Sequence, residues 1–277
     1  FITRKAKQLK EQKEEEAILT YLKAELSQKD VAEIIGVSEA YISDLFKNCK
    51  TAVPEDFCPF LYNLWNCSKD NSITHFGNIP QVFVENLLYY YTEPFDIVYD
   101  PFAGGGITID ACKKWIRRYY VADRKPIPAR EEEIKKQDIN DGIRKDLPNN
   151  IKLVFLDPPY WKQAENQYSK DKNDLANMSL ESFYKSLQCF AKDIKKKLAK
   201  DGKVALIIQA TQWKNNNVRI DHAFDIAEMF KKLGFEIEQR IICPYSTEQY
   251  NAQMVTKAKE DKICLQTYRD LIVFKLK

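Results

Sequence analysis

Asp157-Pro158-Pro159-Tyr160 is the stretch of this chain with the most chemistry in it. It follows the apolar run 151–156, which reads as a buried parallel strand. The four residues therefore fall at a strand's carboxyl end, where open α/β sheets place ligands. Asp157 supplies a hydrogen-bond acceptor, and the two prolines remove backbone donors and stiffen the turn. Tyr160 adds a flat ring. A heterocycle with an exocyclic amine would suit the set: its hydrogens can bond to the Asp157 carboxylate and the Pro158 carbonyl while the ring lies on Tyr160. Taken alone, the same letters could equally be a stiff aromatic turn with no chemistry.

A second stretch gives the first its context. Residues 95–99 read as a short buried strand, followed by Asp100-Pro-Phe102-Ala103-Gly104-Gly-Gly106-Ile-Thr108 and then a helix through Ile109, Ala111, Cys112 and Trp115. Strand, glycine turn and helix form a nucleotide-type pocket, because glycines let backbone approach a ligand and the helix start frees N–H groups. The Gly-Lys-Ser/Thr of a phosphate-binding loop is missing, which disfavours ATP hydrolysis. Asp123 ends the next predicted strand, 118–122, where an acid accepts the hydroxyls of a ribose. Lys136-Gln137-Asp138-Ile139 could close a third short strand with Asp138 near an adenine ring. Capping or turn formation is the alternative for Asp123 and Asp138.

These residues need a sheet to hold them. Further strands are expected over 202–208, 235–242 and 267–274, with helices after Pro80, over 179–198 and over 222–233. Residues 161–178 are polar and free of glycine and suit a mobile lid, with Trp161 and Tyr168 either stacking on a substrate or anchoring the lid. Gln212 and Trp213, after the fifth strand, are candidates for gripping substrate. Lone His222 reads as a surface or capping residue, and 243–266 as a Gln/Lys-rich loop with Tyr245 and Tyr250.

The amino-terminal part differs in character. Residues 4–26 pattern as a helix, with Lys5 to Glu16 either a solvated helix or a linker. Residues 27–46 pattern as two short helices, capped by Ser27 and Ser38 and separated at Gly36. This resembles a DNA-binding helix-turn-helix, which would expose Ser38, Glu39, Tyr41 and Ser43 at the start of a recognition helix and Lys47 at its end. The alternative is a structural or dimerising unit. An aromatic segment within 51–72 reads as a short docking helix, so we expect a helical domain over 1–72 and a sheet domain over 73–277.

Composition narrows the class. The 277 residues are 44% hydrophobic and 30% charged, with a formal net charge of +3, ordinary for a globular protein and compatible with a nucleic-acid partner. Seven scattered cysteines without a Cys-x2-Cys pair, and only two histidines, argue against zinc and for a reducing, cytoplasmic setting. No apolar stretch approaches the roughly 18 residues of a membrane span, and no signal peptide is visible. The start at Phe1 rather than Met points to a preceding segment.

The pairing of Asp100-Pro-Phe-Ala-Gly-Gly-Gly with Asp157-Pro-Pro-Tyr resembles the S-adenosylmethionine-dependent amino-methyltransferases of DNA, of the N6-adenine and N4-cytosine type. The resemblance runs from about Ile79 to Lys277. It implies an α/β, Rossmann-like methyltransferase sheet of about seven strands with a final antiparallel strand. It also implies that Asn78, Ile79 and Pro80 complete the cofactor pocket and that Asp100, Phe102, Ala103, Gly104 and Gly106 wrap the methionine part. Asp123 would hold the ribose, with Asp138 and Ile139 by the adenine. Asp157, Pro158, Pro159 and Tyr160 would be the catalytic turn, and no metal is implied.

Two departures stand out. In many bacterial relatives the Asp-Pro-Pro-Tyr part comes first, and here there is no room for a large target-recognition segment. The helix-turn-helix and residues 161–178 would share that task. Such fusions resemble phage and plasmid proteins. The expected reaction is methylation of adenine N6 in duplex DNA with the base flipped out. N4-cytosine methylation, RNA amino-group methylation and a non-catalytic DNA-binding or partition factor are alternatives, and a homodimer or other protein partner is possible.

Overall fold

The computed structural model describes residues 2–49, 53–67, 79–213, 218–245 and 250–277. Eight helices and nine strands are described. The helices are α1 (Ile2–Tyr21), α2 (Gln28–Ile35), α3 (Glu39–Asn48), α4 (Gln81–Tyr91), α5 (Ile107–Lys114), α6 (Leu180–Ile194), α7 (His222–Lys232) and α8 (Ala252–Glu260). The strands are β1 (Ile97–Asp100), β2 (Arg118–Asp123), β3 (Lys135–Lys136), β4 (Ile151–Leu156), β5 (Leu198–Ile208), β6 (Thr211–Trp213), β7 (Val218–Ile220), β8 (Phe235–Pro244) and β9 (Tyr268–Leu276).

Seven strands form one sheet in the order β3-β2-β1-β4-β5-β9-β8. The first five are mutually parallel, and β9 runs antiparallel to both β5 and β8. This is a Rossmann-like α/β sheet with an antiparallel last strand, as the resemblance implies. Alternation along each strand builds the two cores. Val98, Val121, Leu153, Phe155, Ala205 and Ile207 face α4 and α5, while Tyr99, Tyr120, Val154, Leu156, Val204 and Leu206 face α6 and α7. Side chains on successive strand residues point to opposite faces, so an uninterrupted apolar run is what a strand covered on both sides requires.

The amino-terminal helices have their own small core of Ala17, Val31, Ala32, Ile35, Ile42 and Phe46. Ser27 caps α2 through a reciprocal pair with Asp30, and Gly36 ends it at φ 72° before Ser38 caps α3. The predicted 4–26 helix stops at Tyr21 instead. Lys23 then bridges to Tyr119, with Tyr119 N–H donating to the Leu22 carbonyl (2.8 Å) and Ala24 N–H to the Tyr119 carbonyl (3.1 Å). The short β3 pairs only with Ala122 and Asp123, so the start of β2 has an open edge, and residues 22–24 satisfy it. Arg118 locks this seam: its guanidinium donates to the carbonyls of Tyr21, Ala24 and Leu26 and lies 4.1 Å from the centre of the Tyr21 ring.

Three further expectations are corrected. Among the described residues 53–67 there is no helix. The segment runs along the edge of β8, where Trp65 N–H donates to the Ile242 carbonyl and the Trp65 ring packs among Phe60, Phe83 and Tyr90. The loop read over 243–266 contains α8, which buries only Ala258 and so shows no apolar periodicity. The fifth strand begins at Leu198, within the run assigned to a helix end. No helix among the described residues is long and apolar enough to cross a membrane. Replacing Arg118 with alanine removes three carbonyl partners from a mostly enclosed seam; we expect a loss of about 2–4 kcal/mol in urea unfolding, and a loss below about 0.5 kcal/mol would refute the locking role.

Candidate active site

The ends of β1 and β4 sit side by side, with Tyr99 beside Val154. The turns that follow them open on one cavity of about 970 Å³, lined by Asp100, Phe102, Ala103, Gly104, Asp123, Asp138, Ile139, Asp157 and Pro159 among others. This is the switch point of the sheet, where successive crossovers leave in opposite directions. Ile79 and Tyr168 line the same cavity.

The loop after β1 is built on Asp100. One carboxylate oxygen accepts from Phe102 N–H (2.8 Å), the other from the Thr108 hydroxyl (2.6 Å). That ties the strand end to the first turn of α5. Gly104 and Gly106 have φ of 49° and 88°, a left-handed region that glycine reaches without strain. At Gly106 a Cβ would also meet the Arg130 side chain at 2.8 Å. Asp123 holds the loop from the other side, accepting from Gly104 N–H (3.0 Å) and from Lys125 N–H (2.7 Å). Asp138 accepts from Asn140 N–H and pairs with Arg124 at 2.8 Å.

Burial pushes both central carboxyls up. For Asp100 desolvation dominates and raises it to about 7, opposed by its hydrogen bonds and reinforced by the negative charge of Asp157. Asp157 is likewise raised to about 7 by burial, while the charge of Arg269 and a hydrogen bond from Tyr160 act the other way. Arg269 lies with its guanidinium carbon 5.8 Å from the Tyr160 ring centre and 5.1 Å from that of Tyr245.

Several predicted site residues lie elsewhere. Pro80 is a buried residue just ahead of α4, Gly106 caps α5 from outside the cavity lining, and Asn78 is outside the described residues. Gln212 and Trp213 belong to β6, which pairs with β7; their side chains are outside the described ones. Ser38, Tyr41 and Lys47 do not line the cavity, and the Tyr41 hydroxyl donates to Glu14 of α1.

Trp161 is not available for stacking. It is 1% exposed, its indole N–H donates to the Met178 carbonyl (2.9 Å), and its own carbonyl accepts from Thr211 (2.8 Å). Within 161–178, Leu175 and Ala176 are buried and Asn177 bridges back to the carbonyls of Ser169 and Asp171. His222, read as a surface or capping residue, is the first residue of α7 and is not at the surface: it is fully buried between Thr211 and Tyr184 (2.9 Å each), and burial lowers it to about 4.

Two residues went unread in the sequence. Arg124 holds Asp138, Asp171 and Asp174 together at the cavity rim, and its position directly after Asp123 was the available signal. Arg269 had none, because it lies far along the chain in a strand that reads as core.

The cavity's groups fit S-adenosylmethionine. Asp123 ends β2, where paired hydroxyls could donate to it, Ile127 and Ile139 offer apolar surface that would suit a purine, and Asp100 and Asp157 supply carboxyls that would suit a cationic group.

A family profile described as DNA methylase matches residues 3–129, under half of the chain. The match takes in the helical part, the glycine loop and Asp123, starts well ahead of Ile79 and stops short of Asp157. No curated protein matches. Solved structures with a similar chain path include a TehB-like SAM-dependent methyltransferase from Corynebacterium glutamicum (12% identity, TM-score 0.44, 70% of this chain and 87% of that one). TrmN from Thermus thermophilus is similar at 13% identity and TM-score 0.44, over 72% of this chain and 49% of that one. Precorrin-6y C5,15-methyltransferase from Geobacter metallireducens is similar at 12% identity and TM-score 0.45, over 76% and 96%. None of these three bears on what this chain binds.

The raised carboxyl of Asp100 has a consequence for stability. Folding lifts it from 3.8 to about 7, so its contribution is full below about 4 and is lost as pH rises through 7. Asp100→Asn keeps an acceptor for Phe102 N–H and should flatten part of that fall, leaving the share of Asp157. Thermal midpoints measured across the window test this, and equal slopes in the two proteins would overturn it.

Proposed function

We propose that this protein transfers a methyl group from S-adenosylmethionine to the N6 amino group of adenine in DNA. The observation that carries the reading is that Asp157 and Pro159 open on the same cavity as the Asp100–Gly104 loop and Asp123. A cofactor bound along that loop would supply an electrophilic methyl. An exocyclic amine is a weak nucleophile because its lone pair conjugates with the ring. Asp157 and the Pro158 carbonyl would accept its two hydrogens and favour a more tetrahedral nitrogen, so catalysis is chiefly alignment and electrostatic fit. A carboxyl near 7 can also take the proton that the methylated nitrogen sheds.

Tyr160 and Tyr168 are the aromatic groups we assign to the base, and Asp123 and Asp138 to the ribose and adenine of the cofactor. The helices of residues 1–72 are read as a DNA-contacting helix-turn-helix beside the 73–277 transferase domain. The capped α2–Gly36–α3 turn and the exposed Ser38 and Lys47 support this. Phe46 in α3 stacks on Tyr21 at 4.4 Å and meets Phe95 at 4.7 Å, which would fix the presented face relative to the sheet.

Labelled methyl should appear as N6-methyladenine after incubation with duplex DNA. Label confined to cytosine N4 or to RNA would replace the acceptor. Asp157→Ala should lower transfer by at least about a thousandfold, with cofactor affinity near that of the parent in calorimetry; a parallel loss of cofactor binding would remove Asp157 from the acceptor side. Lys47→Glu should weaken duplex binding and reduce its salt dependence by about one phosphate contact, and unchanged binding would assign α3 to packing alone.

A further inference from the structure

Asp157 and Asp100 place two carboxyls in one desolvated region, and each raises the proton affinity of its surroundings. Asp100 is served by Phe102 N–H and by Thr108. The charge partner of Asp157 comes from the far end of the chain. Because β9 is antiparallel to β5, with Asp270 beside Ile208, the start of β9 lies level with the carboxyl ends of the parallel strands. Arg269 is there, and its guanidinium is packed by the rings of Tyr160 and Tyr245. Its Nε is buried with no hydrogen-bond partner among the described residues. The neighbouring acid is not that partner, since Asp270 is taken by Arg240 at 2.8 Å.

We propose that Arg269 is a positioning residue for the acceptor turn: from β9 it packs against the Tyr160 ring and serves as the counter-charge of the Asp157 carboxylate. The inference rests on the reading of Asp157 as acceptor of the amine. A buried carboxylate stays charged only beside an opposite charge or several donors. The groups acting around Asp157 are Tyr160 on its own turn, Tyr168 from the following loop, Asp100 from β1 and Arg269 from β9. Tyr245 and Cys243 of the β8 side flank the guanidinium in turn. Of these Arg269 alone is cationic. An arginine suits the place because a planar guanidinium can lie against aromatic faces and holds its charge on burial more firmly than a lysine does.

The test separates this role from the reaction itself. Carboxyl carbon resonances of labelled aspartates are followed against pH in the full chain without substrate, with Asp157→Asn assigning the signal. In Arg269→Gln the Asp157 midpoint should rise by about one unit or more, and in Arg269→Lys by less. In methyl-transfer assays the acid limb of the pH profile should move up by the same amount, costing roughly fivefold or more in rate at neutral pH. A midpoint that does not move in either variant overturns the proposal, as does a moved midpoint with an unmoved pH–rate profile. If Arg269→Gln fails to fold, the lysine variant alone must still show the rise. A shifted midpoint in a protein whose parent never methylates DNA would keep Arg269 as the counter-charge and defeat the adenine reading instead.

Discussion

The pairing of β1 with β4 is the constraint on which the rest of the molecule depends. Chain order would separate these strands by β2 and β3, and the sheet brings them together at its switch point. Each strand ends in an aspartate-led turn, so the pairing puts Asp100 and Asp157 at one rim. Two acids in one poorly hydrated place are costly, and the surrounding groups answer that cost in different ways. Local donors on the same loop bind Asp100, whereas Asp157 relies on Tyr160 and on a charge from β9.

Several groups around this rim are tied down. Arg124 gathers three carboxylates from two segments, and Trp161 is fastened at both its indole and its carbonyl. The chain Trp161–Thr211–His222–Tyr184 continues that bracing to Asp225 on α7. A buried neutral imidazole suits such a role, since burial keeps it uncharged near neutral pH. Catalytic geometry depends on supporting groups whose own positions are fixed by packing and hydrogen bonds. The same economy holds at the amino-terminal seam, where one arginine caps a helix end and an open strand edge together.

Much of this was legible in the letters. Apolar runs of strand length, glycine turns and helical periodicity located β1, β2, β4, α4, α6 and α7 to within a few residues, because those signals are local consequences of pleat, turn and helix geometry. The two motif turns stood out for the same reason. What went unread lacked a local signal: α8 buries a single alanine, residues 53–67 are shaped by the edge of β8, and the loop after Tyr160 is polar in composition but braced by contacts to distant backbone.

Sequence by itself therefore determined the strand-ending turns, the glycine loop with its acids and the helical character of the first fifty residues. These depend on neighbours along the chain. Tertiary structure alone decided that Trp161 and His222 are bracing residues, that residues 22–24 complete the edge of β2, and that Arg269 lies over the ring of Tyr160. Each depends on strand order and direction. The antiparallel β9 above all carries an arginine from the end of the chain to the ligand side of the sheet, and no spacing in the sequence encodes that distance in space.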